Sequence, residues 1–379
     1  MKIILTGGGT GGHFYPIIAV AEKLNEIAKD NRLLRPELYY MSTDPYDESL
    51  LFENNITFYK VSAGKIRRNK TPDNLIKNFF DLFKTFSGVI SALWRVFVIY
   101  PDVVFGKGGY ASFPVLFAAR FLGIPVVIHE SDGKPGKVNA WAGKFARRVA
   151  VSYPDAVSYF KKGITAYTGN PVRKAIQEKQ VSGSHEFFGF DKNIKTVFII
   201  GGSLGSRFVN SAIMDALSEL VENYQVIHQT GKDNFPIIQE TSKVILNGNK
   251  NKDRYKAFPY MNDLTMRMAS GAADVIVSRA GSAIFEIALW GRASIIIPIP
   301  EETSHDQRTN AYSYARSGSA VVIEEKNMST GVLMSEIERI TGDPLTKEKM
   351  ESSAVAFSRK DSAQLIAEGI IEIGLEHEK

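Results

Sequence analysis

His13 stands directly after a run, Gly7 to Gly12, in which only Thr10 is not glycine. Glycines let a backbone turn tightly and expose its N–H groups. Residues 3–5 before the run are apolar, and Ile17, Val20, Ala21 and Leu24 after it recur on one helical face,. The stretch therefore reads strand, glycine loop, helix, with Pro16 expected in the first helical turn, where its missing N–H costs nothing. The amino end of such a helix is where an anion binds. A glycine loop offers no apolar face against which an imidazole could be a core residue. His13 is accordingly expected at a reacting centre, where a general base is worth about 10²–10⁴-fold in rate.

The pattern returns in the second half of the chain. Residues 197–200 are apolar, Gly201-Gly202-Ser203-Leu204-Gly205-Ser206 follows, and Ile213, Ala216, Leu217, Leu220 and Val221 mark a helix. Gly8-Gly9-Thr10-x-Gly12 matches Gly201-Gly202-Ser203-x-Gly205, which implies two Rossmann-like domains, each headed by its own glycine loop. Further strands are expected at 38–41, 57–61, 102–105, 125–129 and 149–152, then at 226–229, 256–258, 274–278 and 294–299. Helices are expected from 114, over 283–290 with Gly291 ending it, and over 361–375,. Alternation of this kind gives an α/β fold with parallel, helix-covered sheets. Ligands of such sheets bind beyond the carboxyl ends of the strands. The loops Gly106-Lys107-Gly108-Gly109-Tyr110, 129–139, 279–282 and 300–310 lie at such ends, and they line one cleft if the two sheets face each other.

At 379 residues the chain exceeds one ordinary core, and 44% hydrophobic with 23% charged residues describes a globular protein,. It has no cysteine, hence no disulfide framework and no thiolate metal site,. The amino terminus lacks the apolar core of a signal peptide, so a cytoplasmic protein is expected. The net charge of +5 matters only where it clusters, and between Lys60 and Lys70 lie five cations and no acid,. A helix over 75–94 follows, apolar on more than one face through Phe79, Phe83, Phe86, Ile90 and Trp94 and again Ile76, Phe80 and Val89. Asp81, Lys84 and Arg95 interrupt it, so it is not expected to span a membrane. Two readings stay open: one side dipped into an anionic lipid surface, or a buried helix beside a solvated basic loop. Aliphatic residues interleave the cations, which argues against nucleic acid.

Neither glycine loop carries the Gly-Lys-Ser/Thr of a Walker site, and no acid sits cleanly on the second strand for a dinucleotide. No HExxH spacing and no DxD pair at a strand end occurs, so no metal and no cofactor is expected. Glu286, one turn into the helix that opens on Gly281, is placed to hold ribose hydroxyls, or else compensates the helix dipole at the surface. His129 reads as a structural histidine closing a strand.

Taken together, GGTGGHFYP (8–16), GKGGYASFP (106–114), HESDGKPGKVN (129–139), TGNPVR (168–173), GGSLGSRFVN (201–210), HQTGK (228–232) and SRAGSAIFE (278–286) closely resemble the MurG family of bacterial glycosyltransferases, in order and over nearly the whole chain. The resemblance implies the GT-B fold and inverting transfer of N-acetylglucosamine from UDP-GlcNAc to the undecaprenyl-diphosphate-linked muramyl pentapeptide, lipid I, giving lipid II. It implies an acceptor domain over 1–166, onto which a helix from about 355–379 packs back, and a donor domain over 167–354. Arg173, Ser203, Glu286 and Gln307 would contact the donor, with Ser203 near the phosphates, Glu286 at the ribose and the backbone of Phe258 and Pro259 at the uracil. Thr10, Gly11, Gly12 and His13 would sit at the sugar and acceptor, Tyr110 and Asn139 nearby, and His13 would be the base. Family members associate peripherally with the cytoplasmic leaflet, which favours the membrane reading of helix 75–94 and adds anionic inner-leaflet lipids to the partners.

Three positions depart from the family pattern. Asp132 stands where Asn is usual, Ala283 where threonine is frequent in a loop one residue shorter, and Asp306 beside Gln307 where glutamine or histidine is usual. Rival expectations are another GT-B enzyme, such as a diacylglycerol glycosyltransferase or a UDP-GlcNAc epimerase, and a UDP-sugar sensor without catalysis.

Overall fold

A computed structural model describes residues 1–65, 72–202, 205–300 and 307–376, without the side chains of Pro72, Asp73 and Leu75. Ser203, Asp306 and the cations of residues 66–70 lie outside the described residues. The chain divides into two compact units, Met1–Arg173 with Lys360–Lys379, and Lys174–Arg359.

The first unit runs β1 (Lys2–Thr6), α1 (Gly11–Asp30), β2 (Glu37–Ser42), α2 (Glu48–Glu53), β3 (Ile56–Lys60), α3 (Pro72–Ile99), β4 (Val103–Gly106), α4 (Phe113–Phe121), β5 (Val126–Glu130), α5 (Lys137–Ala142), β6 (Arg148–Val151) and β7 (Thr165–Tyr167). Its strands pair in parallel in the order β3-β2-β1-β4-β5-β6-β7. The sheet is buried on both faces, as continuous apolar strands require. Ile3 and Leu5 of β1 pack under Phe14, Ile17 and Leu24 of α1, together with Ile366, Ile370 and Ile373 of the returning tail. Ile4, between them, faces Val96 of α3 and Val115 of α4.

The second unit runs α6 (Ser184–Phe188), β8 (Thr196–Ile200), α7 (Arg207–Asn223), β9 (Gln225–Gln229), α8 (Phe235–Ile245), β10 (Tyr255–Phe258), α9 (Asp263–Ala272), β11 (Val275–Ser278), α10 (Ala283–Trp290), β12 (Ser294–Ile296), α11 (Gln307–Arg316), β13 (Ala320–Val322), α12 (Thr330–Gly342) and α13 (Pro344–Phe357). Its sheet has the order β10-β9-β8-β11-β12-β13, again parallel. The final helix, α14 (Ser362–Gly374), belongs to the first unit.

Four differences from the sequence reading have local causes. Helix α1 begins at Gly11, so Pro16 lies inside it rather than in its first turn. Pro16 cannot donate to the carbonyl of Gly12, and the opening turn is held instead by His13 N and Phe14 N, 3.1 and 3.2 Å from Thr10 O,. Strand β12 ends at Ile296 rather than 299, just ahead of Pro298 and its missing donor,.

The division between units falls after Arg173 rather than 166. Strand β7 pairs with β6, and Thr168 N and Gly169 N both donate to Val151 O, which ties these residues to the first unit. The later division falls after Arg359 rather than 354, because Phe357 packs its ring on Phe285 and Tyr314 of the second unit.

Helix α3 is the fourth difference. Over the 24 residues Ile76–Ile99 it is long and apolar enough to cross a membrane, and only 22% of its most apolar window is buried. Two of the expected interruptions do not break its outer face. Asp81 lies on the docked face, 7% exposed, and the Arg95 guanidinium lies 4.4 Å over the Tyr59 ring. Phe79, Phe83, Phe86, Ile90, Trp94 and Phe97 remain as one stripe at helical spacing, each more than half exposed,. The docked face depends on Gly88, where any Cβ would run into the backbone carbonyl of Ser62. Gly88→Ala should therefore lower the unfolding free energy by about 2 kcal/mol in a urea titration, the usual scale of overpacking.

Inside the second unit His228 is fully buried between Tyr255 OH, 2.9 Å from Nδ1, and Asn210 Oδ1, 3.0 Å from Nε2. Asn210 Nδ2 donates to Thr230 O, so its Oδ1 faces the imidazole as an acceptor. Nε2 must then carry the proton, and Nδ1 accepts from the tyrosine. Burial pulls the His228 pKa down to about 3. The unfolded chain takes up a proton near pH 6.5 and the folded one does not, so this contribution is complete above pH 6.5 and is lost as pH falls. The stability advantage of the wild type over His228→Gln should shrink by about 2 kcal/mol between pH 7 and pH 5, at about 1.4 kcal/mol per pH unit.

Candidate functional site

Strands β1, β4, β5 and β7 deliver four loops to one edge of the first sheet. Thr10, extended and exposed, is the N-cap of α1 without a capping bond, and Gly11, Gly12 and His13 form the first turn. His13 Nδ1 lies 3.2 Å from the backbone carbonyl of Lys107. A carbonyl can only accept, so Nδ1 donates, and in the neutral ring Nε2 keeps its lone pair. Gly109, at φ 80°, passes beside that nitrogen: a Cβ there would come within 3.4 Å of His13 Nε2 and 2.8 Å of Gly8 O. A side chain at this position would crowd Nε2. Tyr110 begins the short turn that follows, and its ring lies against Gly9.

Beneath these loops is a buried polar layer whose charged members the sequence reading did not single out. Lys107 is fully buried; its backbone N–H donates to Thr6 O at 2.8 Å, and its ammonium donates to Ser131 Oγ and, at 3.1 Å, to Asn170 Oδ1. The Glu130 carboxylate accepts from Asp132 N, Gly136 N and Asn139 Nδ2 at 2.9 to 3.0 Å. Asn139 also donates to His129 O. Burial pulls the Lys107 ammonium down in pKa and pushes the Glu130 carboxyl up, the latter helped by the Asp132 carboxylate. His129 Nε2 donates to Gly169 O at 2.9 Å, and burial together with the Lys107 charge keeps this histidine neutral. A lysine set among glycines and a glutamate closing an apolar strand were the available signals. Arg173 is buried within this unit, its guanidinium 4.7 Å over the ring of Tyr15 in α1.

The second unit gathers its own loops at the corresponding edge. Gly201 and Gly202 leave β8, and Ser206 caps α7, its Oγ accepting from Val209 N at 3.3 Å. Phe258 ends β10, its carbonyl accepting from Thr230 N at 2.9 Å, with Pro259 next. Glu286 sits half-buried in the first turn of α10. Gln307 opens α11 and accepts from Ile299 N at 3.2 Å, while Asn310 on the same helix donates to Ala280 O at 3.1 Å. The structure thus gathers Thr10–His13, Tyr110 and Asn139 around the first unit's loops. Glu286 and Gln307 belong to neighbouring loops of the second, with Phe258 and Pro259 on the far side of its central strand. Chemically, the first edge offers an imidazole and the second a set of helix amino ends of the kind that can bind an anion.

Residues 3–151 match the glycosyltransferase family 28 N-terminal domain and residues 196–366 its C-terminal domain. The UDP-N-acetylglucosamine–N-acetylmuramyl-(pentapeptide) pyrophosphoryl-undecaprenol N-acetylglucosamine transferase of Clostridium kluyveri is 36% identical over 369 residues, covering 96% of this chain and 98% of its own. The crystal structure of Acinetobacter baumannii MurG superposes with a TM-score of 0.71 at 25% identity, covering 98% of this chain and 99% of that one. A UDP-N-acetylglucosamine 2-epimerase structure from Listeria monocytogenes reaches a TM-score of 0.72 at 13% identity, covering 99% and 97%, and so shares the fold alone. The two Rossmann-like units are those of the GT-B fold. With both domain models matched in order and full-length relatives above 30% identity, the chain belongs to glycosyltransferase family 28.

Proposed function

We propose that this chain transfers N-acetylglucosamine from UDP-N-acetylglucosamine to the undecaprenyl-diphosphate-linked muramyl pentapeptide, in one inverting displacement with His13 as general base. The chain is a hexosyltransferase by family, and its relatives are named for this reaction. What carries the role of His13 is the hydrogen bond from Nδ1 to the Lys107 carbonyl, which leaves the Nε2 lone pair to accept a proton. An acceptor hydroxyl attacks the anomeric carbon and its proton passes to Nε2. The bond from that carbon to the phosphate oxygen breaks, and UDP leaves with the electron pair. Helix amino ends and Arg173 stabilise the leaving diphosphate.

Within this reading Ser203, Gln307 and the amino end of α7 serve the donor phosphates and sugar. Glu286 takes the ribose hydroxyls, and the backbone of Phe258 and Pro259 takes the uracil. Thr10, Gly11, Gly12, Tyr110 and Asn139 serve the acceptor side. His13→Ala should lower kcat at least about 100-fold while UDP affinity, read by calorimetry, stays within about threefold. Equal loss of both would make His13 a binding residue. The decisive assay follows UDP-GlcNAc turnover with a lipid I analogue: UDP release without acceptor would mean hydrolysis, a free epimer an epimerase, and silence a sensor.

The acceptor is a lipid, and α3 is the surface for it. Its stripe of Phe79, Phe83, Phe86, Ile90, Trp94 and Phe97 is larger than the isolated apolar residues a free surface normally shows,. Lying in the interface of the cytoplasmic leaflet, with anionic headgroups around the neighbouring cations, it would make the enzyme peripheral rather than membrane-spanning. Phe83→Asp with Trp94→Asp should abolish co-sedimentation with vesicles containing phosphatidylglycerol. Turnover of a short-chain, water-soluble acceptor should be unchanged.

A further inference from the structure

Between Gly106, which ends β4, and Tyr110 the loop carries one side chain, that of Lys107. Gly108 and Gly109 follow it at φ 82° and 80°, a region open to glycine and disfavoured by side chains,. Two successive glycines leave little to hold the Lys107 peptide group from its carboxyl side. Yet the carbonyl of that group is what accepts from His13 Nδ1, at 3.2 Å.

The restraint comes from Lys107 itself. Its N–H donates to Thr6 O at 2.8 Å, which fixes the amino side of the residue against β1. Its fully buried side chain reaches Ser131 Oγ after β5 and, at 3.1 Å, Asn170 Oδ1 after β7. Position 7 makes room for that path: a Cβ there would stand 3.0 Å from Lys107 Cβ and 2.9 Å from the end of Ile17. The Glu130 and Asp132 carboxylates oppose the effect of burial on the ammonium. One side chain therefore passes close to the first glycine loop and is tied at its tip to two others.

The tautomer of His13 depends on the carbonyl so held. A neutral imidazole carries one proton, on Nδ1 or on Nε2, and a carbonyl facing Nδ1 keeps it there. With the proton on Nδ1, the Nε2 lone pair can take a proton from a hydroxyl. With the proton on Nε2, that side of the ring has no base. A carbonyl able to swing away removes the preference.

We propose that Lys107 is the positioning residue for His13: its side chain, tied to Ser131 and Asn170, fixes its own carbonyl on Nδ1 and so keeps the proton off Nε2. This rests on the reading that His13 takes the acceptor's proton. The lysine acts through the histidine alone.

The test begins with nitrogen-15 spectra of the imidazoles in the full-length protein at about pH 8, where an unperturbed histidine is neutral. The signals of His13 are those missing in His13→Ala. Wild type should carry the His13 proton on Nδ1, and Lys107→Met should move it towards Nε2. In turnover with a lipid I analogue, Lys107→Met should lower kcat about tenfold, the scale of one lost hydrogen bond, with KM for both substrates within about twofold. Asn170→Leu should do the same. Asn170→Asp, which still offers the ammonium an oxygen, should stay within about threefold of wild type. Lys107→Met combined with His13→Ala should be no slower than His13→Ala alone.

A His13 proton that stays on Nδ1 in Lys107→Met would overturn the inference at any kcat. Losses that multiply in the double variant would overturn the action through His13, and raised KM at unchanged kcat would mark a binding role instead. If Lys107→Met does not fold, the Asn170 pair decides: equal losses in Asn170→Leu and Asn170→Asp count against the proposal. Should His13→Ala itself keep its kcat, the reading of His13 as base falls and this inference with it. If His13→Ala loses kcat while Lys107→Met does not, only the present inference falls.

Discussion

Every strand in both sheets runs parallel to its neighbours, and that single constraint decides where chemistry can occur. In a parallel sheet all chain exits lie on one edge, so the residues that follow β1, β4, β5 and β7 meet without any loop having to travel,. The backbone groups at that edge have run out of ladder partners. They must be satisfied by side chains, and the chain uses long or forked donors for it: Lys107 in the first unit and Arg279 in the second. Placement of His13 depends on this arrangement, because the carbonyl that orients its ring belongs to Lys107.

Burying a cation is costly, and a buried pair is weak evidence of stability in itself. What Lys107 and Glu130 secure is geometry. Lys107 is held by Ser131 and Asn170 from two separate loops, and Glu130 by three donors of the loop that follows it, so an alternative loop arrangement would strand a buried charge. That penalty narrows the set of conformations open to the glycine-rich segments, which have little side-chain packing of their own. The glycines let the loops pass close to His13, and the buried polar layer supplies the order that glycines lack.

Much of this was legible in the sequence because it rests on local rules. Apolar runs placed most strands to within a residue or two, but not the end of β12 and not the short edge strands β7 and β13; glycine loops marked several exits, and the repeated Gly-Gly-Thr/Ser-x-Gly signal announced the second unit. Less legible was whatever depended on a partner distant in sequence. Charges along α3 looked like interruptions until Asp81 was found on the docked face and Arg95 against Tyr59. Lys107 escaped notice because its partner Asn170 is brought to it only by the sheet order, and Glu130 because the loop that folds back onto it through Asp132, Gly136 and Asn139 leaves no periodic signal. The helices α12 and α13 carry no loop of chemical interest and left no mark on the functional reading.

The tail has a consequence for how the molecule comes into being. Ile366, Ala367, Ile370 and Ile373 of α14 are buried in the same cluster as Ile3 and Leu5 of β1. The first unit is therefore a discontinuous domain whose core is completed by residues at the far end of the chain, while the second unit is one uninterrupted stretch. A growing chain ordinarily folds its amino-terminal domain first. Here the order is inverted: the inner unit can close while synthesis is still under way, and the unit that presents α3 and His13 is sealed only after translation has reached α14.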